Sequence, residues 1–294
     1  MRMKKYFLQL LAVTLFVNAY SQKDSSVYIA SYLAQHLANK DSLSSAKNLE
    51  ISYRLLLFIG VKSSFAISNN QFINNEMDAS IKSEIKQNSS SGISINGSSF
   101  RRISNFESAT IFKENDLGKT YEANIVGVQK FYIEDSLNQL NWDILDSFKI
   151  INDYKCQLAK SSYKGRIWFS WFTTEIPFSN GPWKLGGLPG LILEAHDLTN
   201  EIVFTFLSFE KSKNKVPINF EKKLYTKVSR KEYFKQLHAY AEDPDQYLDS
   251  QTGGLFNELV KNANVQNNDG SKGKTTKTSR KLSVPNNPIE LPPY

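Results

Sequence analysis

Between Asp153 and Glu210 short alternating runs are separated by turn residues, and that pattern restricts the chain to a mostly antiparallel sheet. Tyr154, Cys156 and Leu158 alternate with polar neighbours. Tyr163-Lys164-Gly165 then turns the chain into a run with Ile167, Phe169 and Trp171 on one face and Trp168, Ser170 and Phe172 on the other. Asn180-Gly181-Pro182 marks a second turn. Leu188-Pro189-Gly190-Leu191 marks a third. Proline fixes φ at its first central position and glycine accepts a positive φ at the next, which predicts a type II turn. Leu191 to His196 and Ile202 to Phe209 read as strands around the turn Asp197 to Asn200. Short connections make consecutive strands neighbours, so the expectation is an antiparallel meander.

The rest of the chain fits around that meander. Ile51, Tyr53, Leu55, Leu57 and Ile59 mark a largely buried strand bounded by Gly60, with Ser63 to Ile67 as its continuation. Arg101 to Phe112, Tyr121 to Val126 and Gln129 to Glu134 carry further sheet signals, whereas Leu140 to Ile151 is ambiguous. Ile29, Leu33 and Leu37 stand four apart, which predicts a helix over Ser25 to Asn39. Ser229-Arg230-Lys231-Glu232 has the form of a capping box, with Phe234, Leu237 and Ala241 on one side and Pro244 past the end. The fold class expected is mainly β with minor α: a curved antiparallel sheet, open barrel or sandwich carrying one or two packed helices. One domain is expected over residues 22–263, with a polar insertion at 68–100 and a mobile polar tail at 264–294. Within that tail, Asn286 to Leu291 offers an edge strand.

The start of the chain has its own logic. Met1 to Lys5 is basic, Tyr6 to Val17 is apolar, and Ala19-Tyr20-Ser21 supplies small residues on either side of Tyr20. Those are the parts of a signal peptide, so residues 1–21 are expected to be removed and the product exported to the periplasm or beyond. The apolar run is too short to span a bilayer, which takes about 20 residues. No later segment qualifies either: Leu185 to Leu198 contains Glu194, His196 and Asp197. The formal charge of +7 falls when Arg2, Lys4 and Lys5 leave, and much of the remainder lies in the tail. The folded part is close to neutral, unlike a nucleic-acid protein with its concentrated basic face. Cys156 is the single cysteine, so the core depends on apolar burial without an internal disulfide.

The run Trp183-Lys184-Leu185-Gly186-Gly187-Leu188-Pro189-Gly190-Leu191-Ile192-Leu193 resembles the motif of the GLPGLI family of exported bacterial proteins. Its core here is Gly187, Leu188, Pro189, Gly190, Leu191 and Ile192. Ile151 to Ala159, Gly165 to Thr173, Glu175-Ile176-Pro177, Gly181-Pro182-Trp183 and Asn287 to Leu291 are similar to other stretches of that family. Asp153 departs from it, standing where the family has glycine. The resemblance implies an envelope location and supplies no catalytic residues.

Few reactive constellations are visible. His36, His196 and His238 are far apart without an i, i+4 pair, so no metal and no cofactor is expected. Cys156 with His196 lacks the Gly-rich elbow or helix start that activates a thiol, and a buried structural cysteine is the better reading. No Gly-x-Ser-x-Gly elbow occurs. The glycines of 186–190 lead into a strand instead of a helix, which argues against a phosphate loop. The aromatics are the feature with functional promise. Trp168, Phe169, Trp171, Phe172 and Trp183 put apolar surface on both sheet faces, either as a core between layers or as the wall of a ligand cavity. Together with Arg166 they form the candidate ligand site. Arg166 is expected to pair with Glu175 or Glu194, or to meet an anion. The reading is a non-enzymatic envelope module that binds an apolar small molecule or another envelope protein. A secreted hydrolase built on Glu194, His196, Asp197 and Arg166, or a structural assembly subunit, are the alternatives.

Overall fold

The computed structural model describes residues 24–37, 50–75, 109–137 and 140–257, the backbone of 265–266 and 272–273, and residues 284 and 288–290. The expected signal segment at 1–21 and the segment 101–108 lie outside these residues, as do most of the insertion and most of the tail.

Twelve strands form one mixed sheet. They are β1 (Tyr28–Leu37), β2 (Glu50–Ile59), β3 (Ser63–Ser68), β4 (Thr110–Glu114), β5 (Lys119–Val126) and β6 (Gln129–Ser136). After them come β7 (Asp143–Ile151), β8 (Tyr154–Tyr163), β9 (Arg166–Thr173), β10 (Leu191–Asp197), β11 (Ile202–Lys211) and β12 (Thr226–Lys227). The order β12-β6-β5-β4-β3-β2-β1-β11-β10-β9-β8-β7 is two meanders, β1–β6 and β7–β11, joined where β1 pairs with β11. Every pairing is antiparallel except that of β12 with β6. The protein is therefore mainly β, as its alternation predicts, and its sheet is not closed into a barrel.

The sheet bends strongly. Lys113 of β4 and Trp168 of β9, six places apart in strand order, both contact the loop 174–190 that enters the concave side. Ile176, Trp183, Leu185 and Leu188 of that loop are buried among Tyr32, Leu55, Leu57, Trp168, Phe172 and Phe204. Tyr32 donates its hydroxyl to the Ile192 carbonyl at 2.8 Å, so even the buried phenol is satisfied. Two helices, α1 (Arg230–Glu242) and α2 (Pro244–Gln251), complete this side by packing Tyr233, Leu237, Tyr240 and Leu248 on Val126, Phe131 and Ile133. Ser229 caps α1 by accepting the Glu232 N–H at 3.1 Å. Pro244 does more than follow α1, since it opens α2 behind the cap Asp243.

The convex side of β2–β5 carries a ladder of rings. Phe58 stacks on Phe65 at 4.7 Å between centroids, Phe65 on Phe112 at 5.6 Å, and Phe220 joins Phe112 to Tyr121 at 5.0 Å each. The segment 212–225 covers that ladder by contributing Ile218 and Phe220.

Several expectations change. Ser25 to Asn39 contains β1 and no helix among its described residues. A spacing of four is also a multiple of two, so Ile29, Leu33 and Leu37 share a strand face as readily as a helix face. The ambiguous stretch before Ile151 is edge strand β7, with a register break between Ile144 and Phe148. The polar insertion begins with a helical segment at 69–75 that sets Phe72 against Phe58 at 4.9 Å. In the tail, residues 288–290 enter no strand, and Glu290 is buried.

The type II turn also gives way to a different geometry. Gly190 donates its N–H to the Leu188 carbonyl at 2.8 Å, which closes the turn around Pro189, and Leu191 donates to Ile176 at 3.0 Å. Gly190 has φ +156°, and a Cβ there would stand 2.0 Å from the Thr173 carbonyl oxygen. The glycine is required by close backbone approach, in addition to its dihedral.

Lys113 holds the loop from below. Its Nζ donates to Asn180 Oδ1 at 2.9 Å, the Gly181 carbonyl at 2.9 Å and the Leu185 carbonyl at 2.7 Å. Those three acceptors match the three N–H bonds of an ammonium. Burial nevertheless pushes its pKa down to about 7 from the ordinary 10.5. Between those values the unfolded chain binds more protons at this site than the folded one, so its contribution to stability rises with pH across the window. Lys113→Met is expected to flatten the difference in urea stability between about pH 7 and about pH 9. A variant with the wild-type slope would contradict a titrating buried amine.

Candidate functional site

The structure divides the predicted aromatic site. Trp168, Phe172 and Trp183 belong to the concave core, with Trp168 and Trp183 rings 5.5 Å apart. Phe169 and Trp171 lie half-buried on the convex face, where Phe169 stacks on His196 at 5.5 Å and Lys149 Nζ stands 4.6 Å over the Trp171 ring. Alternation along β9 therefore sends Trp168 and Phe172 to one face of the sheet and Phe169 and Trp171 to the other.

Arg166 is placed differently from either expectation. Its Nη1 donates to Asp197 Oδ2 at 2.6 Å and to Glu201 Oε2 at 3.1 Å. Glu194 instead pairs with Lys149, and Glu175 accepts the Lys155 N–H at 2.8 Å. Alternation along β10 puts Asp197 on the concave side with Ala195, where Glu201 joins it at Arg166, while Glu194 and His196 point to the convex side. Arg166 and Asp197 therefore cannot act with Glu194 and His196 as one hydrolytic site. Cys156 is buried, and burial raises its thiol to about 11, which leaves it protonated at neutral pH. Among the described residues no group of histidine, cysteine and carboxylate side chains is arranged to hold a metal ion. Also among them, no helix is long and apolar enough to cross a membrane.

A cleft of about 560 Å³ does open on the convex face, where β2, β1 and β11 lie side by side. Alternation builds its floor. Ala30 and Tyr32 face the core, which turns Ile29 and Ser31 outward, and Tyr53, Leu55 and Leu57 do the same for Arg54, Leu56 and Phe58. Phe72 and Ile73 supply one wall, and Ile73 stands 52 % exposed. The segment 211–217 supplies the other wall. It is pinned to the strand start: Ser26 N donates to the Val216 carbonyl at 2.8 Å, Val216 N returns to Ser26 Oγ at 3.0 Å, and Ile218 N reaches the Asp24 carbonyl at 2.9 Å.

Charge is concentrated on the rim. Among the described residues, Arg54, Lys211, Lys213 and Lys215 line the cleft against the single carboxylate Glu210. Arg54 is oriented across the floor by its donation to Ser31 Oγ at 3.1 Å, and Ser31 is held in turn by Ser208 at 2.7 Å. The size falls within the usual range for small-molecule sites, roughly 300–1,000 Å³. An apolar floor under a cationic edge suits a molecule with an apolar body and an anionic end.

A family model described as "Protein of unknown function (Porph_ging)" matches residues 159–194. That stretch runs from β8 through the aromatic hairpin and the concave loop into β10, so it covers Gly187 to Ile192 and none of the cleft. No curated protein matches the sequence. Among solved structures, "Structure of PNGF-II in C2 space group" aligns with 72 % of this chain at 12 % identity and a TM-score of 0.44. "Structure of PNGF-II in P21 space group" gives the same 72 %, 12 % and 0.44. The chain spans about a third of the length of these structures, 32 % and 33 %.

Proposed function

We propose that this chain is an exported binding module of the GLPGLI type, and that its convex cleft takes an apolar molecule bearing an anionic group. The observation that carries the reading is the pairing of an apolar floor, Ile29, Leu56 and Phe58, and an apolar wall, Phe72 and Ile73, with four basic side chains against one carboxylate among the described residues. Each methylene removed from water on such a floor contributes about 0.8 kcal/mol. The basic rim adds attraction for the anionic end and discriminates against neutral or cationic amphiphiles. Export rests on the basic, apolar and small-residue parts of segment 1–21.

Displacement of anilinonaphthalene sulfonate tests the cleft. One saturable site is expected, emptied by dodecanoate at lower concentration than by dodecanol. Arg54→Glu with Lys213→Glu is expected to weaken dodecanoate about tenfold, equivalent to ~1.4 kcal/mol. Ile29→Trp, which fills the floor, is expected to abolish binding. Unchanged binding in both variants, with circular dichroism unaltered, would remove the proposal.

A further inference from the structure

Residues 288–290 return to the concave side far along the chain from the strands they touch, and three kinds of contact hold them there. The first reads the main chain. Arg166, with a side chain 3 % exposed, donates Nε to the Ile289 carbonyl at 3.0 Å and Nη2 to the Pro288 carbonyl at 2.8 Å. The second is apolar: Ile289 sits with Tyr53, Leu55, Ile111 and Trp183 around a residual cavity of about 40 Å³. The third is ionic. Glu290 meets Lys184 Nζ at 2.6 Å and Arg230 Nη2 at 2.9 Å, with Lys164 Nζ at 4.0 Å.

The charges around this groove leave a place for one acid. Among the described residues that meet Glu290, Lys164, Lys184 and Arg230 are three cations, and the sheet offers Glu122 and Asp135 as their fixed partners. Glu290 is the third carboxylate, delivered by the strap. Arg166 has Asp197 and Glu201 for its own charge, so what it gives the strap is recognition of backbone carbonyls. Past Glu290 the groove opens into a cavity of about 480 Å³ where Lys164, Lys227, Arg230 and Lys231 face the carboxylates Glu134 and Asp135. Carbonyl clamps, an aliphatic pocket, a carboxylate seat and an open exit are the parts of a peptide-binding groove.

We propose that this groove binds extended acidic peptides, and that Pro288-Ile289-Glu290 is its resident, exchangeable occupant. Tethering gives the strap a high effective concentration, so an incoming peptide with an aliphatic residue before a carboxylate must compete with it. Sequence outside that pair is read weakly, because Arg166 addresses carbonyls common to all peptides.

The test uses the full chain with a protease site inserted between Gly270 and Ser271. After cleavage the C-terminal fragment is expected to co-elute with the remainder on a sizing column. A fluorescent peptide of residues 284–294 is then expected to exchange into the cleaved chain, with a saturable rise in anisotropy, and to enter the uncleaved chain less readily. The same peptide carrying Glu290→Gln should bind at least ~30-fold more weakly, since its seat is a desolvated ion pair. Absence of exchange into a cleaved chain that keeps its circular dichroism would overturn the proposal, as would equal binding of the Glu290→Gln peptide. If cleavage unfolds the chain, the uncleaved protein carrying Glu290→Gln supplies the second measurement. Its weakened strap should admit the wild-type peptide at lower concentration than the unaltered protein does, and equal capture by both would overturn the inference.

Discussion

Replacing Gly190 by alanine is expected to cost at least ~4 kcal/mol, well above the ~1–3 kcal/mol of ordinary overpacking. The added Cβ would meet the Thr173 carbonyl oxygen at 2.0 Å and its carbon at 2.7 Å. A clashing side chain can rotate away, but a carbonyl at the end of β9 can move only by displacing the strand. Leu191, the next residue, both donates to Ile176 and pairs with Thr173, so separation there unseats the concave loop as well. Domains of this kind have only ~5–15 kcal/mol of stability in total. The variant is expected to lose most of that, seen as a large fall in the urea midpoint or as recovery only in insoluble form. Gly118 supplies the control. It has φ +58° with nothing within 4 Å of an added Cβ, so Gly118→Ala is expected to cost only the left-handed backbone penalty of ~1–2 kcal/mol. Equal costs at the two positions would show that dihedral preference, and not the Thr173 contact, makes Gly190 necessary.

Lys184→Met comes second in expected effect. Lys184 is 2 % exposed and meets Glu122 at 2.8 Å, Asp135 at 2.6 Å and Glu290 at 2.6 Å. Removing one partner from a buried ion cluster typically costs ~3–5 kcal/mol, because an uncompensated charge remains. The dependence on pH should identify the cause. Burial opposes the charge on Glu122, but Arg230 and Lys184 outweigh it and hold the carboxyl well below its ordinary 4.5. Burial likewise opposes the charge on Asp135, and Lys184 with Lys164 brings that group below its ordinary 3.8. Folded pKa values below the unfolded ones mean stability that is present above about pH 4.5 and lost as pH falls through the folded values. In Lys184→Met the cluster is left one cation short, and a proton replaces it at acid pH. The deficit relative to wild type, measured by urea denaturation, should be largest near neutrality and shrink below about pH 4.5. A deficit independent of pH would assign the loss to packing of the methionine.

The sheet was legible wherever alternation was strong. β2 and β9–β11 follow from the period of two in Ile51 to Ile59, Arg166 to Thr173 and Leu191 to Phe209, and their turn residues fix them as neighbours. β1 was not legible, because spacing by four suits both periods and only its position between β2 and β11 decides the matter. The aromatic hairpin revealed two apolar faces but not what covers them. Loop 174–190 takes Trp168 and Phe172 into the core, a consequence of sheet curvature that no local pattern carries. Lys113 and Lys184 were invisible for another reason: lysine normally signals solvent, and their burial depends on acceptors and acids brought from several elements. The cleft is equally non-local. Its floor comes from Ile29, Leu56 and Phe58 and its basic wall from Lys211 to Lys215, and only the pairing of β1 with β11 makes them adjacent.

A backbone amide NMR titration with dodecanoate tests the central claim most directly, since it reports where an amphipathic anion settles over the whole molecule. Saturable shifts are predicted at Ile29 to Ser31, Arg54 to Phe58 and Lys211 to Val216, with the signals of Trp168, Phe172 and Leu188 unmoved. Saturable shifts centred on Phe169 and Trp171, or at Lys184 and Arg230, with the cleft signals unchanged, would contradict it.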